Sequence, residues 1–456
     1  MSIPEQIFKA YDIRGLVNGE LEPEVVEAIG RAYIVLTGAK NVAIGYDMRP
    51  ESPAMVEHLT RGVNAMGSNV VNIGLCSSPM LYYAVGMHDE IDGGLMVTAS
   101  HNPAGWNGIK LSRGDVSPIG TGSGMEELKQ LVIDGNFVDA EQRGSNSTMD
   151  TKEGYLDAIF QFVGEVDVSD MKLVADAANG MVGMLLPDVQ KRLGTTIGEL
   201  YWDLDGTFPN HEANPIKHET LVDLQKRVID EGATLGLAYD ADGDRIGLID
   251  EKGQIVAGDS IMMLVAREIL LKHPHSLILG NVQCSRDVNA FVEKLGGTYK
   301  MTPVGHAKIK REMRESGAVF AGELSAHLYY ADFFNVESTE LTTLLLLKLV
   351  SDSEKSLSEL VAEVKSWHAS GEINFHVEDK LGTIAKVKEM YASLPDADLS
   401  EIDGVRIDYP TWWFGVRASN TEPVLRINIE AEKVEDMEMK RDEIIAMIES
   451  NGGKLE

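Results

Sequence analysis

The chain has 456 residues, of which 44% are hydrophobic and 25% charged, so at roughly 150 residues per domain it should fold into about three globular domains. A formal net charge of −31 repels nucleic acid and anionic membrane surfaces, which excludes both as partners. The two cysteines, Cys76 and Cys284, are far apart and outside any CxxC pair, which excludes a disulfide framework and a zinc site.

The first residues include Glu5, Lys9, Asp12 and Arg14, which leave no apolar core for a signal peptide and predict a cytoplasmic protein. Apolar runs predict buried strands at 42–46 and 95–98, the second running into a turn. The stretch 142–152 is rich in Gly, Ser, Asn and Thr and reads as a linker. A new cycle opens with a strand at 172–176 leading into Asn179-Gly180. Strands follow at 235–239, 246–249 and 277–279, with helices at 260–271, 286–295 and 306–315. The most apolar stretch, 341–350, is too short to cross a bilayer. This alternation implies mostly parallel sheets with helices on both faces and ligand-binding loops at the carboxyl ends of strands. From about 373 the order becomes strand, helix, strands at 405–407, 412–416 and 425–429, then a helix at 433–448. That is an α+β unit, with Ser370-Gly371 as its hinge. Any repetition along the chain is one of architecture, because the units share no residue pattern.

Thr98-Ala99-Ser100-His101-Asn102-Pro103 follows a buried strand, and Pro103 forces the chain to turn. A serine hydroxyl there is a nucleophile only with help, and His101 and Lys110 are near in sequence. The bland reading is that Ser100 and Asn102 cap the turn. Asp240-Ala241-Asp242-Gly243-Asp244-Arg245 also follows a strand. Carboxylates at i, i+2 and i+4 of an extended chain point the same way, and three packed together call for a hard divalent cation such as Mg²⁺ or Ca²⁺. An EF-hand is ruled out, because Arg245 stands where the calcium loop needs Gly and strands flank the segment. A solvated acidic turn is the bland alternative.

Gly322-Glu323-Leu324-Ser325-Ala326-His327 is a polar loop after an apolar strand, with acceptors and a donor suited to sugar hydroxyls. His306 follows Gly305 and opens a helix, a position suited to an anion. Arg417-Ala418-Ser419-Asn420-Thr421-Glu422-Pro423 joins two strands and offers the donors a phosphate dianion needs, though an ordinary hairpin turn would look similar. Because the overall charge repels phosphate esters, such local cations and N–H groups must build any phosphate site.

Together, and in this order, these segments resemble the α-D-phosphohexomutase family over nearly the whole chain. Ala10-Tyr11-Asp12-Ile13-Arg14-Gly15 resembles the family's opening signature. Segments 98–103, 240–245, 322–327 and 417–421 resemble its phosphoserine, metal, sugar and phosphate loops. The resemblance implies an α/β protein of four domains around a central cleft. Three are related α/β domains with mixed, mainly parallel sheets, at 1–146, 147–254 and 255–367, and the fourth is the α+β domain at 368–456. Within the family the chain is most similar to bacterial phosphomannomutases that often also accept glucose phosphates, on Glu323 to His327 and Ser370-Gly371-Glu372-Ile373-Asn374. Leu324 stands where phosphoglucosamine mutases usually have Gln, and Gln283 where several bifunctional members carry a lysine.

The implied activity is interconversion of hexose 1-phosphate and hexose 6-phosphate, of mannose and also glucose, through phosphorylated Ser100 and a 1,6-bisphosphate. Mg²⁺ would be held by Asp240, Asp242, Asp244 and a Ser100 phosphate oxygen, with hexose 1,6-bisphosphate as primer. Arg14, Lys110 and Arg245 supply cations, and His306 and Lys110 transfer protons. Glu323 and Ser325 hold the 3- and 4-hydroxyls, with Tyr11, Gly305 and His327 also facing substrate. Arg417, Ser419, Asn420 and Thr421 hold the distal phosphate. Sugar phosphates are the expected partners of a monomer or weak homo-oligomer. Phosphoglucomutase or phosphoglucosamine mutase as the main activity is the alternative within the family, and a Mg²⁺-dependent sugar phosphatase and an inactive sugar-phosphate binding protein are the competing classes.

Overall fold

The computed structural model describes residues 3–419 and 424–456, which form four sheets with flanking helices. The first sheet runs in the order Ile13–Leu16, Trp106–Arg113, Gly93–Val97, Asn41–Tyr46, Asn69–Leu75, Asn146–Thr148. Strand Asn146–Thr148 pairs in parallel with Asn69–Leu75, so the polar stretch expected as a linker carries the sheet's edge strand. Its side chains are all exposed, as suits an edge, and this left no apolar signal to read.

The second sheet runs Ile255–Val256, Ile246–Asp250, Leu235–Tyr239, Leu173–Asp176, Ile197–Leu200. The third runs Thr298–Thr302, Leu277–Asn281, Phe320–Gly322, Leu328–Tyr330, Val336–Glu337. Each of these two sheets has two parallel and two antiparallel ladders, so parallel pairing is less dominant than expected. The reason is local and repeated. In all three sheets a buried strand enters a functional loop and returns as its own antiparallel neighbour. Gly93–Val97 returns as Trp106–Arg113, Leu235–Tyr239 as Ile246–Asp250, and Phe320–Gly322 as Leu328–Tyr330. The architectural repeat thus places the serine, aspartate and glutamate loops at equivalent positions.

The apolar run 341–350 lies within the helix Thr339–Ser351, which is buried on almost every side in a core to which the first three sheets all contribute. Among the described residues no helix is long and apolar enough to cross a membrane.

The last sheet is antiparallel and is built around Trp412–Ala418 and Val424–Ala431. His368–Ala369 already pairs with Val424–Ala431, and the Ser370 N–H donates to Ile429 O at 2.8 Å. Ser370-Gly371, expected as a hinge, therefore lies inside the last sheet's hydrogen bonding. This domain is fastened to the third. Arg406 stacks 3.6 Å over the Trp413 ring and donates through Nη1 to Val282 O at 2.8 Å and Cys284 O at 3.0 Å. A planar guanidinium serves both purposes at once.

Candidate active site

Ser100 sits at the carboxyl end of Gly93–Val97 with φ of 49°, a left-handed conformation uncommon for a residue other than glycine. Its N–H donates to Thr98 Oγ1 at 2.9 Å, and its hydroxyl donates to Asp240 Oδ2 at 3.1 Å, with His101 Nδ1 at 3.2 Å. The serine loop of the first sheet thus meets the aspartate loop of the second. Burial, with Arg245 and Arg14 nearby, pushes the His101 imidazole well below its ordinary pKa and keeps it neutral. Arg14 donates to Asp12 Oδ2 at 2.7 Å and to Asn102 Oδ1 at 2.6 Å, so it braces the same loop.

Asp240, Asp242 and Asp244 are buried, and one carboxylate oxygen of each lies within 4.8 Å of the others. Their convergence does not come from an extended chain, as expected, but from a tight turn. Gly243 has φ of 74°, and Asp240 Oδ1 accepts from the N–H groups of Asp244 at 3.0 Å and Arg245 at 3.1 Å. A turn satisfies those buried backbone donors, which an extended segment would leave without a ladder. Lys110 Nζ donates to Asp242 Oδ2 at 2.6 Å and Asp244 Oδ2 at 2.5 Å, and Arg245 Nε to Asp240 Oδ2 at 3.0 Å. Burial, reinforced by the Asp244 carboxylate, pushes the Asp240 pKa up. Burial opposes ionisation of Asp244 too, but Lys110 and His327 hold its pKa well down.

The donor set fits a hard divalent cation. Asp242 Oδ1 is a buried oxygen with no hydrogen-bond partner, and all three ligand side chains are carboxylates.

The third loop closes on the same cluster. His327 Nε2 lies 3.5 Å from Asp244 Oδ1, and its Nδ1 lies 2.9 Å from Ser325 Oγ and 3.3 Å from Glu323 Oε2. Burial works against charging His327, but Asp244 and Glu323 raise its pKa to about 9. Gly305 N–H donates to Glu323 Oε1 at 2.8 Å, so the helix N-terminus expected to meet an outside anion is already faced by this carboxylate. Tyr11 donates from its hydroxyl to Val304 O at 2.8 Å and packs edge-on to His306 with ring centroids 5.5 Å apart. Both ring nitrogens of His306 are buried without a hydrogen-bond partner.

Gly305 has φ of 120°, and a Cβ there would lie 2.2 Å from the Tyr11 ring. Gly305→Ala should therefore lower stability, by on the order of 1–3 kcal/mol for the backbone alone, and push Tyr11 off its site. Thermal unfolding checks this, and an unchanged midpoint would refute it.

Arg417 is buried, with Nε 3.5 Å from Asp403 Oδ2, which also accepts from Val304 N–H at 3.0 Å. Arg417 is thereby tied to the segment carrying Gly305 and His306. The Ser419 N–H donates to Val424 O at 2.9 Å. Asn420 and Thr421 lie outside the described residues. Gln283 donates through Nε2 to Glu372 Oε2 and Asn428 Oδ1, both at 3.0 Å, and so bridges the third and fourth domains.

Two buttresses of the aspartate turn were not legible beforehand. Ser78 opens the helix Ser78–Met87; its N–H donates to Asp242 O at 2.9 Å and its hydroxyl to Asp242 Oδ2 at 2.5 Å. Thr339 Oγ1 donates to Gly243 O at 2.9 Å. Their only signal was a Ser or Thr at the start of a helix, which ordinarily indicates a cap.

Comparison with known proteins agrees with this arrangement. Family models described as phosphoglucomutase/phosphomannomutase match in order: α/β/α domain I at 5–134, domain II at 153–253, domain III at 257–367 and the C-terminal domain at 372–447. A phosphomannomutase of Salmonella montevideo is 36% identical over 452 residues, 97% of this chain and 99% of the relative. A phosphomannomutase/phosphoglucomutase of Pseudomonas syringae is 35% identical over 96% of this chain and 93% of its own. The crystal structure of a phosphoglucomutase/phosphomannomutase family protein from Burkholderia thailandensis superposes with a TM-score of 0.89 at 31% identity, covering 100% of both chains. With all four domain models matched in order and loops from three sheets meeting at Ser100 and the aspartates, the chain belongs to the phosphoglucomutase/phosphomannomutase family of α-D-phosphohexomutases.

Proposed function

We propose that this phosphohexomutase interconverts the 1- and 6-phosphates of mannose, and of glucose at the same site, with Ser100 as the phosphoryl carrier. The observation that carries the reading is the Ser100 hydroxyl donating to Asp240 inside a buried three-carboxylate cluster. Asp240, Asp242 and Asp244, with an oxygen of the Ser100 phosphate, would hold a Mg²⁺ that withdraws charge from phosphorus.

In the first half-reaction the free hydroxyl of a hexose monophosphate attacks the phosphorus on Ser100. A sugar O–P bond forms, the Oγ–P bond breaks and the departing Oγ takes up a proton, so the products are hexose 1,6-bisphosphate and free Ser100. The attacking hydroxyl loses its proton. His306, whose two ring nitrogens are buried without a hydrogen-bond partner, would accept it. Lys110, whose ammonium is paired with Asp242 and Asp244, would be the second group to move a proton. The bisphosphate then turns end for end, Ser100 Oγ attacks the other phosphorus, and the isomeric monophosphate leaves. Catalysis of this kind is positioning and electrostatics, to which Arg14, Lys110 and Arg245 contribute.

Glu323 and Ser325 would hold adjacent sugar hydroxyls, with Tyr11, Gly305 and His327 around them. Arg417 and Ser419, with Asn420 and Thr421, would receive the non-reacting phosphate.

A coupled assay primed with glucose 1,6-bisphosphate tests the proposal, with mannose, glucose and glucosamine 1-phosphates run side by side and free phosphate followed in parallel. Conversion of mannose 1-phosphate at a rate at least matching the others is the expected result. A preference for glucosamine 1-phosphate, or phosphate release in place of isomerisation, would overturn it.

A further inference from the structure

We infer that Arg49 is a positioning residue for phosphoryl transfer, a buried guanidinium that holds the backbone of the Ser100 loop in its working shape. The inference rests on the reading of Ser100 as phosphoryl carrier; the geometry behind it does not.

The loop after Gly93–Val97 has a structural problem. It turns through a left-handed serine and directs several carbonyl groups into the protein, where no sheet ladder receives them. Arg49 takes four of them. Its Nη2 donates to Ser100 O at 2.7 Å and Asn102 O at 2.6 Å, and its Nη1 to Pro103 O at 3.0 Å and Trp106 O at 2.9 Å. Its Nε donates to Asp47 Oδ2 at 3.2 Å. These contacts match the five N–H donors of a guanidinium.

The fork is itself fixed. Asp47 Oδ1 accepts from Ser52 Oγ at 2.7 Å and from the Arg49 N–H at 3.1 Å, and the Asp47 N–H donates to Val97 O at 3.0 Å. From the second domain, the Phe208 ring covers the guanidinium at 5.1 Å. Gly206 permits that approach, because a Cβ there would lie 2.5 Å from Arg49 Cα.

Arg49 is 1% exposed and its donors are committed, so substrate phosphate has no access to it. Its charge is balanced by Asp47, and its donors act on loop carbonyls rather than on the reacting atoms. A burial this complete is expensive, and the paired, fully hydrogen-bonded carboxylate is what offsets it. The consequence for function is geometric. With the Ser100 carbonyl locked, Oγ stays aimed at Asp240 in both halves of the cycle. A lysine could keep the charge, but its three donors radiate from one point and cannot span four carbonyls along a turn.

The test compares wild type with Arg49→Lys. Three quantities are read: single-turnover transfer from glucose 1,6-bisphosphate to Ser100 by intact mass, steady-state kcat and KM, and hydrogen exchange of the 99–106 amides. The expected result is a fall in transfer rate and kcat of about 10–100-fold, with KM within about twofold of wild type. Faster exchange should be confined to the loop. Unchanged kcat with unchanged exchange would overturn the inference, and so would a loss seen only in KM. If Arg49→Lys fails to fold, wild-type exchange decides: loop amides protected like those of Gly93–Val97 support the clamp, and freely exchanging ones refute it. Wild-type enzyme that never takes phosphate on Ser100 would refute the proposed reaction, whereas the exchange data would still report on the clamp.

Discussion

Ser100→Ala should abolish turnover, by on the order of a thousandfold or more, while leaving the fold and its melting temperature nearly unchanged. The Ser100 hydroxyl is the only part of the side chain that alanine removes, and it makes the contact with Asp240 Oδ2 at 3.1 Å that joins the first and second domains' loops. The loop's shape is held by other groups, among them Thr98 Oγ1 on the Ser100 N–H and Asn102 on Arg14. The oxygen groups around it, among the described residues, are already engaged: Asp242 and Asp244 with Lys110, Asp240 with Arg245, Ser78 with Asp242, and Thr98 with the Ser100 N–H. Intact-mass measurement of wild type after exposure to glucose 1,6-bisphosphate should show one phosphate added, and the variant none. Full wild-type activity without primer and without phosphate at any stage of turnover would overturn the assignment.

The second large effect is expected at the carboxylate cluster. Asp242→Asn should weaken Mg²⁺ binding by on the order of 100-fold or more, since even groups that only orient metal ligands cost 10–100-fold when lost. Asp242 Oδ2 accepts from Lys110 and from Ser78, whereas Oδ1 is buried with no hydrogen-bond partner. An asparagine would keep its carbonyl toward Lys110 and Ser78. Its NH₂ would then occupy the place of Oδ1, presenting hydrogens where a cation needs a lone pair. The substitution also removes one of the three negative charges. Titration calorimetry with Mg²⁺ measures the affinity directly, and chelation of wild type with EDTA should inhibit it until Mg²⁺ is restored. Undiminished Mg²⁺ affinity in the variant, or full activity in thoroughly chelated buffer, would refute the metal assignment.

The fourth domain shows how a local departure from a family pattern acquires meaning from its surroundings. Gln283 could be read beforehand only as a missing lysine. In the fold it donates to Glu372 and Asn428, alongside Arg406 on the Val282 and Cys284 carbonyls. A lysine at 283 would bring a charge to that junction, where the neutral amide makes two hydrogen bonds with its two donors.

Much of the chemistry was determined by short segments alone. The serine and aspartate loops could be placed at strand ends because the preceding residues, 95–97 and 235–239, carry no charged or amide side chain and read as buried strands. The charge triad pointed to a cation because three acids packed together need one. The strand Asn146–Thr148 was not legible, since an exposed edge strand carries no apolar pattern to read. The aspartate turn was misread as extended because the 240–245 sequence does not show that Asp240 Oδ1 captures two backbone donors. Long-range partners lay further out of reach. Arg49 stands 51 residues from Ser100, and Ser78 stands 164 from Asp242. Local propensity and periodicity act over a few residues, whereas a buried arginine or serine becomes functional only when folding brings an unsatisfied carbonyl or carboxylate against it.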